Sequence, residues 1–538
     1  MSANLAAATV RSFFHAGGNL SVAALATTVA AAGNYHSGYE KDTKCEAKII
    51  QEPKLLRKRM TSIGRFSLKS ETLQNPSIPT FFIGVRGKLN VEEMDEVWNR
   101  RDIMKKYDRL QSSVCEQDDR FFKLNNKSSF RDYASVTLHS SSPDPELYRK
   151  ELQRRVEHFL LKPLDVHDRL WEMQMSTGKL GSSGAISRVK SKGGDFSSRT
   201  GENELETVML FRSHHAMADG VSAATVVGEM ADEAEEISQL IIEQMKLYKE
   251  KQKGKRKKMN TWQKLLKKLK LFFSILSALL RHSFLVLSSF DHPLASVLVG
   301  DEVVSRSVSW CDACEVDEAK KVAKALHPDA TINDLFVSCV ASAISRQLRS
   351  LNVSIPRKLN IVLPVHLSGG MILPGESMGN NIGAFVASLQ TKHMPYGDNY
   401  SSISNLALVS DSISGVKRSP APFVSWFFAK IASDYFPESV AKFLMSAANA
   451  NAICVVSNVR IPFKGKFHLN GKPIESLNGF VPLPPGVPIG IAVQSYAGTL
   501  SLTVTADKRA VPDADKFLLW ILEEYERMSA LSKVKRDI

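Results

Sequence analysis

Cysteine is scarce in this chain. Six in 538 residues, at positions 45, 115, 311, 314, 339 and 454, are too few and too scattered for a disulfide framework. Cys311 and Cys314 form a single CxxC with no second pair. A structural zinc site needs four ligands, and no HExxH pattern is present, so no metal is expected. There is no GxSxG nucleophile elbow, which speaks against a serine hydrolase. No acidic residue precedes Glu40, and the only basic one before it, His aside, is Arg11. Such an Ala-, Ser- and Thr-rich start suits a transit peptide, a weak signal sequence or an uncleaved tail. Residues 1–59 are therefore set apart, with organellar targeting by residues 1–40 left open. Internal repeats are lacking too, as is the regular βαβ alternation of a doubly wound sheet.

What is present begins with charge. The formal net charge is +14, and residues 246–270 carry twelve Lys or Arg against Glu250 alone. That strip holds +11 and leaves only +3 for everything else. A nucleic-acid partner is not expected, because the strip lacks interleaved aromatics and any reader motif. It runs into "LFFSILSALLRHSFLVLSSF" (271–290), long enough to span a bilayer. Arg281 and His282 would then lie near the middle, and a central Arg costs roughly 2.5–3.5 kcal/mol. Leu265, Leu269, Phe272, Leu276, Leu279 and Phe284 instead define one helical face, with Lys264, Lys267, Lys268, Lys270 and Arg281 as a basic flank. The pattern favours a helix lying in a membrane interface; spanning, or packing on the protein itself, are the alternatives. Residues 246–290 are thus expected to contact a membrane.

Strands and helices mix on either side of this strip. "TFFIGVRGKL" (80–89), "RLWEMQM" (169–175) and "LETVMLF" (205–211) read as strands, and 90–107 and 145–164 as helices. Residues 176–204 hold thirteen Gly or Ser in twenty-nine positions and read as a flexible hairpin insertion. Later come a helix over 329–348, a strand over 358–367, a helical stretch to Asn449, a strand over 452–459 and a last helix over 513–528. "IGIAVQSY" and "TLSLTVTAD" alternate cleanly and are separated only by Ala497 and Gly498, which predicts a tight hairpin. The fold class is α/β in the α+β sense, with mixed sheets. Its parts are a lobe over 60–240, a linker over 241–300 and a second lobe over 301–530.

One junction carries chemistry. "LFRSHHAMADGVSAATVVGEM" places His214, His215, Asp219 and Gly220 between a strand and a helix predicted to run unbroken to Tyr248. An imidazole, with an unperturbed pKa of about 6.5, is suited to take a proton from an attacking alcohol. Asp219, four residues beyond His215, is placed to orient that ring or to lock the turn through an arginine. Gly220 permits backbone angles that other residues resist. On residue types alone, a structural pair of histidines is the commoner outcome.

"HHAMADG" matches the HHxxxDG signature of acyltransferases that resemble chloramphenicol acetyltransferase. "KPLDVHDRLWEM", "INDLFVSCVASAI", "LPVHL", "MGNNIG" and "PLPPGVPIGIAVQSYAGTLSLTVTADKRAVPD" follow in the order of the wax ester synthase/diacylglycerol acyltransferase family, which the chain resembles over roughly residues 60–530. Arg169 departs from the proline of that pattern, and "SNVRIP" (457–462) departs from its later block. There is no DFGWG motif of plant alcohol acyltransferases, and no carrier domain of a peptide synthetase.

The resemblance implies two lobes with mixed sheets and a tunnel between them. His215 becomes the general base, with His214 and Gly220 shaping the turn and Asp219 holding it. Asn333 and Asp334 support the site from the second lobe, and Asn380 and Trp171 lie against substrate. Each has a plainer reading: a helix cap for Asn333 and Asp334, a turn for Asn380, core for Trp171. Long-chain acyl-CoA is the implied co-substrate, with no other cofactor. The implied acceptor is diacylglycerol or a fatty alcohol, and the implied place is the endoplasmic reticulum or a lipid droplet surface. The same fold acting on another alcohol, or a catalytically silent lipid-binding membrane protein, are the alternatives; the intact HHxxxDG weighs against the latter.

Overall fold

Two six-stranded mixed sheets organise the chain. The computed structural model describes residues 57–125, 129–137, 145–179, 205–257, 261–287, 292–298, 304–367, 379–391, 399–417, 419–461 and 465–537. The segment read as an N-terminal tail lies almost wholly outside these. So does most of the Gly/Ser insertion, whose first residues, 176–179, extend a strand instead.

In chain order the strands are β1 (Arg57–Arg59), β2 (Thr80–Arg86), β3 (Ser112–Val114), β4 (Phe121–Leu124), β5 (Ala134–Val136), β6 (Trp171–Lys179), β7 (Leu205–Ser213), β8 (Arg306–Glu315), β9 (Lys358–His366), β10 (Ile382–Gln390), β11 (Ala452–Arg460), β12 (His468–Leu469), β13 (Lys472–Phe480), β14 (Ile489–Tyr496) and β15 (Thr499–Asp507). The helices are α1 (Ser62–Ser70), α2 (Val91–Arg100), α3 (Ile103–Lys106), α4 (Pro145–Leu161), α5 (Gly220–Met230), α6 (Ala234–Lys257), α7 (Thr261–Leu287), α8 (Val316–Leu326), α9 (Ile332–Ser350), α10 (Asn399–Lys417), α11 (Ala421–Tyr435), α12 (Glu438–Asn449) and α13 (Ala514–Asp537).

The first sheet has the order β12-β13-β2-β7-β6-β5, and the second β10-β9-β11-β14-β15-β8. Parallel pairs (β5 with β6, β9 with β11, β11 with β14) sit among antiparallel ones, so the sheets are mixed, as expected. A small sheet, β1-β4-β3, lies beside them. The β14–β15 hairpin closes on Ala497 and Gly498, both left-handed (φ 48° and 85°), as a two-residue turn of matching twist demands.

Each lobe buries its own core. In the first, Trp171 is fully buried, stacked on Trp98 at 5.1 Å and on Tyr133 at 4.5 Å. In the second, α9 and α13 pack together through Phe336 and Tyr525, whose rings lie 5.4 Å apart.

Three expectations change. The helix after Gly220 breaks at residues 231–233, because Asp232 and Glu233 turn aside to hold β12. Gly471 N donates to Asp232 Oδ2 at 2.7 Å, and His468 N to Glu233 Oε2 at 2.9 Å. The helical stretch ending at Asn449 is three helices; Pro420 and Pro437 stand immediately before α11 and α12, where a missing N–H is tolerated. Finally, β12 and β13 belong to the segment assigned to the second lobe but complete the first lobe's sheet, Phe480 pairing with Thr80.

The helix read over 271–290 begins earlier, at Thr261, and rests on α11 and α12 with Ala278 buried. Among the described residues, no helix is long and apolar enough to cross a membrane.

Candidate active site

β7 ends at Ser213, and the chain turns through residues 214–219 into α5, whose N-cap is Asp219. The two histidines face different surroundings. His214 is buried, and its Nδ1 accepts from Ala216 N at 3.0 Å. Its Nε2 therefore carries the proton and donates to Glu71 Oε2 at 3.0 Å. Burial alone would raise the Glu71 pKa, but the bond from His214 and that from Ser77 N hold it below the ordinary carboxylate value.

His215 is the one residue of the 213–219 run that keeps accessible surface. Its Nδ1 lies 3.1 Å from Ala218 O. A carbonyl only accepts, so Nδ1 carries the hydrogen and Nε2 is left with a bare lone pair. Burial, with His214 adding and Asp219 opposing, pushes the ring's pKa down to about 4.

Asp219 does not orient that ring. Its Oδ1 accepts from Ser222 N at 2.8 Å, capping α5, and its Oδ2 accepts from Asn381 N at 3.0 Å. His366 Nε2 stands 3.4 Å from the same oxygen. Burial would raise the Asp219 pKa, but these partners, His366 foremost, hold it low. The locking group is thus a histidine at the end of β9, where an arginine was expected. The nearby Arg109 donates from Nη1 to Met217 O at 3.2 Å, and burial lowers its pKa to about 10.

The second lobe reaches the turn through three consecutive residues. Gly379 O accepts from Asp219 N at 3.0 Å and from Ser222 Oγ at 2.8 Å. Asn380 Nδ2 donates to His215 O at 3.2 Å, and Asn381 N binds Asp219 as above. From the other side α1 lies against the turn. A Cβ on Gly64 would come within 2.5 Å of Ala216 O, so only glycine permits that approach.

Of the residues expected at the site, His214, His215, Asp219, Gly220 and Asn380 come together; others do not. Trp171 lies in the aromatic core, its Nε1 donating to Leu110 O at 2.8 Å, and is no substrate contact. Asp334 accepts from Thr331 N and Oγ1, each at 2.9 Å, and pairs with Lys417 at 3.5 Å. It caps α9 beside Asn333, and none of these bonds reaches the histidine turn. The backbone at Gly220 does not demand glycine: its φ is not left-handed, and an added Cβ would meet only Val459 Cγ2, at 3.8 Å. Gly64, Glu71, Arg109 and His366 were missed. Only His366 had a signal, lying inside the quoted "LPVHL".

Residues 378–529, which include the 379–381 strip, match the model of the WS/DGAT C-terminal domain. The match bears out the resemblance to the wax ester synthase/diacylglycerol acyltransferase family and supports an acyltransferase. Among solved structures, the wax ester synthase/diacylglycerol acyltransferase from Marinobacter aquaeolei VT8 superposes with a TM-score of 0.55 at 13% identity, covering 88% of this chain and 100% of that one. TRI3 trichothecene 15-O-acetyltransferase from Fusarium sporotrichioides gives 0.55 at 11% identity, over 88% and 95%. The first condensation domain of the calcium-dependent antibiotic synthetase gives 0.51 at 12%, over 89% and 96%. At such identities these likenesses establish the two-lobed fold. No curated protein matches this chain in sequence.

Proposed function

We propose that the chain transfers a long-chain acyl group from acyl-CoA to the hydroxyl of diacylglycerol, a long-chain fatty alcohol or both. One observation carries this reading: Ala218 O fixes the Nδ1–H tautomer of His215, leaving a bare Nε2 on the one accessible residue of the turn. Nε2 takes the proton of the bound alcohol as its oxygen attacks the thioester carbonyl. The tetrahedral intermediate collapses with breakage of the C–S bond. The CoA thiolate leaves and recovers the proton from the imidazolium. The ester and free CoA are the products, no acyl-enzyme forms, and acyl-CoA enters as co-substrate.

A membrane surface is the proposed meeting place with these substrates, at the endoplasmic reticulum or a lipid droplet. On α7, Trp262, Leu266, Leu269, Phe273 and Leu280 are each about half exposed or more. At 3.6 residues per turn they share an arc of about 60°, on the side away from buried Ala278. Leu271 and Phe272 are exposed outside that arc. The apolar stripe overlaps the end of the polybasic segment, the combination that favours binding at an anionic interface. The helix rests on α11, α11 is tied to α1 by Arg65 Nη1 donating to Ser433 O at 2.9 Å, and α1 lies on the histidine turn.

The test is acyl transfer in membranes from a neutral-lipid-deficient cell expressing the full chain. Labelled acyl-CoA is supplied with diacylglycerol and with fatty alcohol in parallel. Labelled triacylglycerol, wax ester or both are expected, with a loss on the order of 100-fold or more in His215→Ala at equal protein level. Equal product from the two proteins defeats the mechanism.

A further inference from the structure

One peptide plane in the turn that carries His215 is bonded at both ends. Ala218 O, at one end, accepts from His215 Nδ1; Asp219 N, at the other, donates to Gly379 O at 3.0 Å. Because the peptide is planar, a rotation that loosens one bond loosens the other. The side chain next to this plane is the fully buried carboxylate of Asp219. Ser222 N holds it from its own helix, while the second lobe supplies Asn381 N and the ring of His366.

Strand pairing builds that second-lobe contribution. β9 ends on His366, β10 begins opposite it at Ile382, and Leu367 N donates to Asn381 O at 3.0 Å. One corner of the second sheet therefore sets both donors. An ionised carboxylate only accepts, so His366 Nε2, itself buried, carries a hydrogen towards Asp219. Arg109 also lies within electrostatic reach of that carboxylate, but its Nη1 is spent on Met217 O.

We propose that His366 is a positioning residue for acyl transfer, clamping Asp219 from the second lobe and so fixing the peptide that sets the tautomer and aim of His215. The inference rests on the acyl-transfer reading above. It assigns a role to a side chain that meets the site at Asp219 and takes no part in the proposed proton transfer itself. The two lobes then meet in a functional contact, because the base in one is aimed by a donor in the other.

A matched pair of variants tests this in the full chain in membranes. His366→Gln can still present a side-chain N–H to Asp219, whereas His366→Met fills similar space without a donor. With acyl-CoA varied at saturating alcohol, His366→Met is expected to lower kcat on the order of tenfold or more, with the KM for acyl-CoA changed less than about twofold. His366→Gln is expected to recover most of the loss. In an Asp219→Asn background, the difference between Gln and Met at 366 should disappear, since the two residues act as one unit. Equal kcat for His366→Gln and His366→Met, at whatever level, overturns the proposal, and so does a loss confined to KM. If that happens while His215→Ala is inactive, only the clamp fails. If His215→Ala is as active as the wild type, the acyl-transfer reading itself has failed.

Discussion

At His215 burial and tautomer act together. The ring is neutral well below the usual range of a histidine, because burial disfavours the imidazolium that Asp219 only partly supports. The base form is therefore already present at neutral pH. The acid limb of kcat/KM that belongs to this residue is expected near pH 4–5, where a solvated imidazole would place it near 6.5. A pH–rate profile checks this, and a limb centred at 6.5 would contradict the buried ring. The stability sign follows. Above about 6.5 the ring is neutral folded and unfolded; as pH falls from there towards 4, only the unfolded chain takes up the proton, so the fold loses stability over that window. At this scale the sequence was legible where the chemistry is local. Six neighbouring residues held the base, its tautomer-setting carbonyl and the capping aspartate. Glu71, Gly64, Arg109 and His366 arrive from distant segments, and spacing along the chain carries no trace of such contacts.

Elements were legible where one period dominates. The β14–β15 hairpin followed from strict alternation and a two-residue gap. Its turn holds an alanine at φ 48°, a conformation that costs an L-residue with a Cβ roughly 1–2 kcal/mol. Ala497→Asn, which tolerates the left-handed region, is expected to raise stability by about 0.5–1 kcal/mol, read as a higher thermal midpoint with activity unchanged. An unchanged or lower midpoint would mean that packing of the alanine methyl outweighs its backbone strain. β13 was missed because its exposure runs in irregular blocks, with its last four residues buried together. The break between α5 and α6 was missed because Asp232 and Glu233 are compatible with a continuing helix; their long-range bonds to 468–471 stop it. Trp171, for which core was the plainer of two readings, completes an aromatic stack.

For the whole molecule, the basic segment was visible as a change of charge, while the return of residues 472–480 to the first sheet was not; α7 carries an exposed apolar stripe. Full-length protein is expected to co-sediment with vesicles containing anionic lipid, more weakly as salt rises. Trp262, Phe273 and Leu280 changed together to serine should lower the bound fraction several-fold while acyl transfer to a detergent-dispersed alcohol persists. Binding equal to that of the parent chain would remove the stripe from the membrane contact.

The placement of β13 has a consequence for how the protein comes into being. Until residue 480 has left the ribosome, β2 waits with one side unpaired, a bare strand margin that invites mispairing with other nascent chains. A gene split within the basic segment would make that waiting state permanent in its first half. The order of synthesis therefore makes the last third of the chain the step that seals both halves into one body.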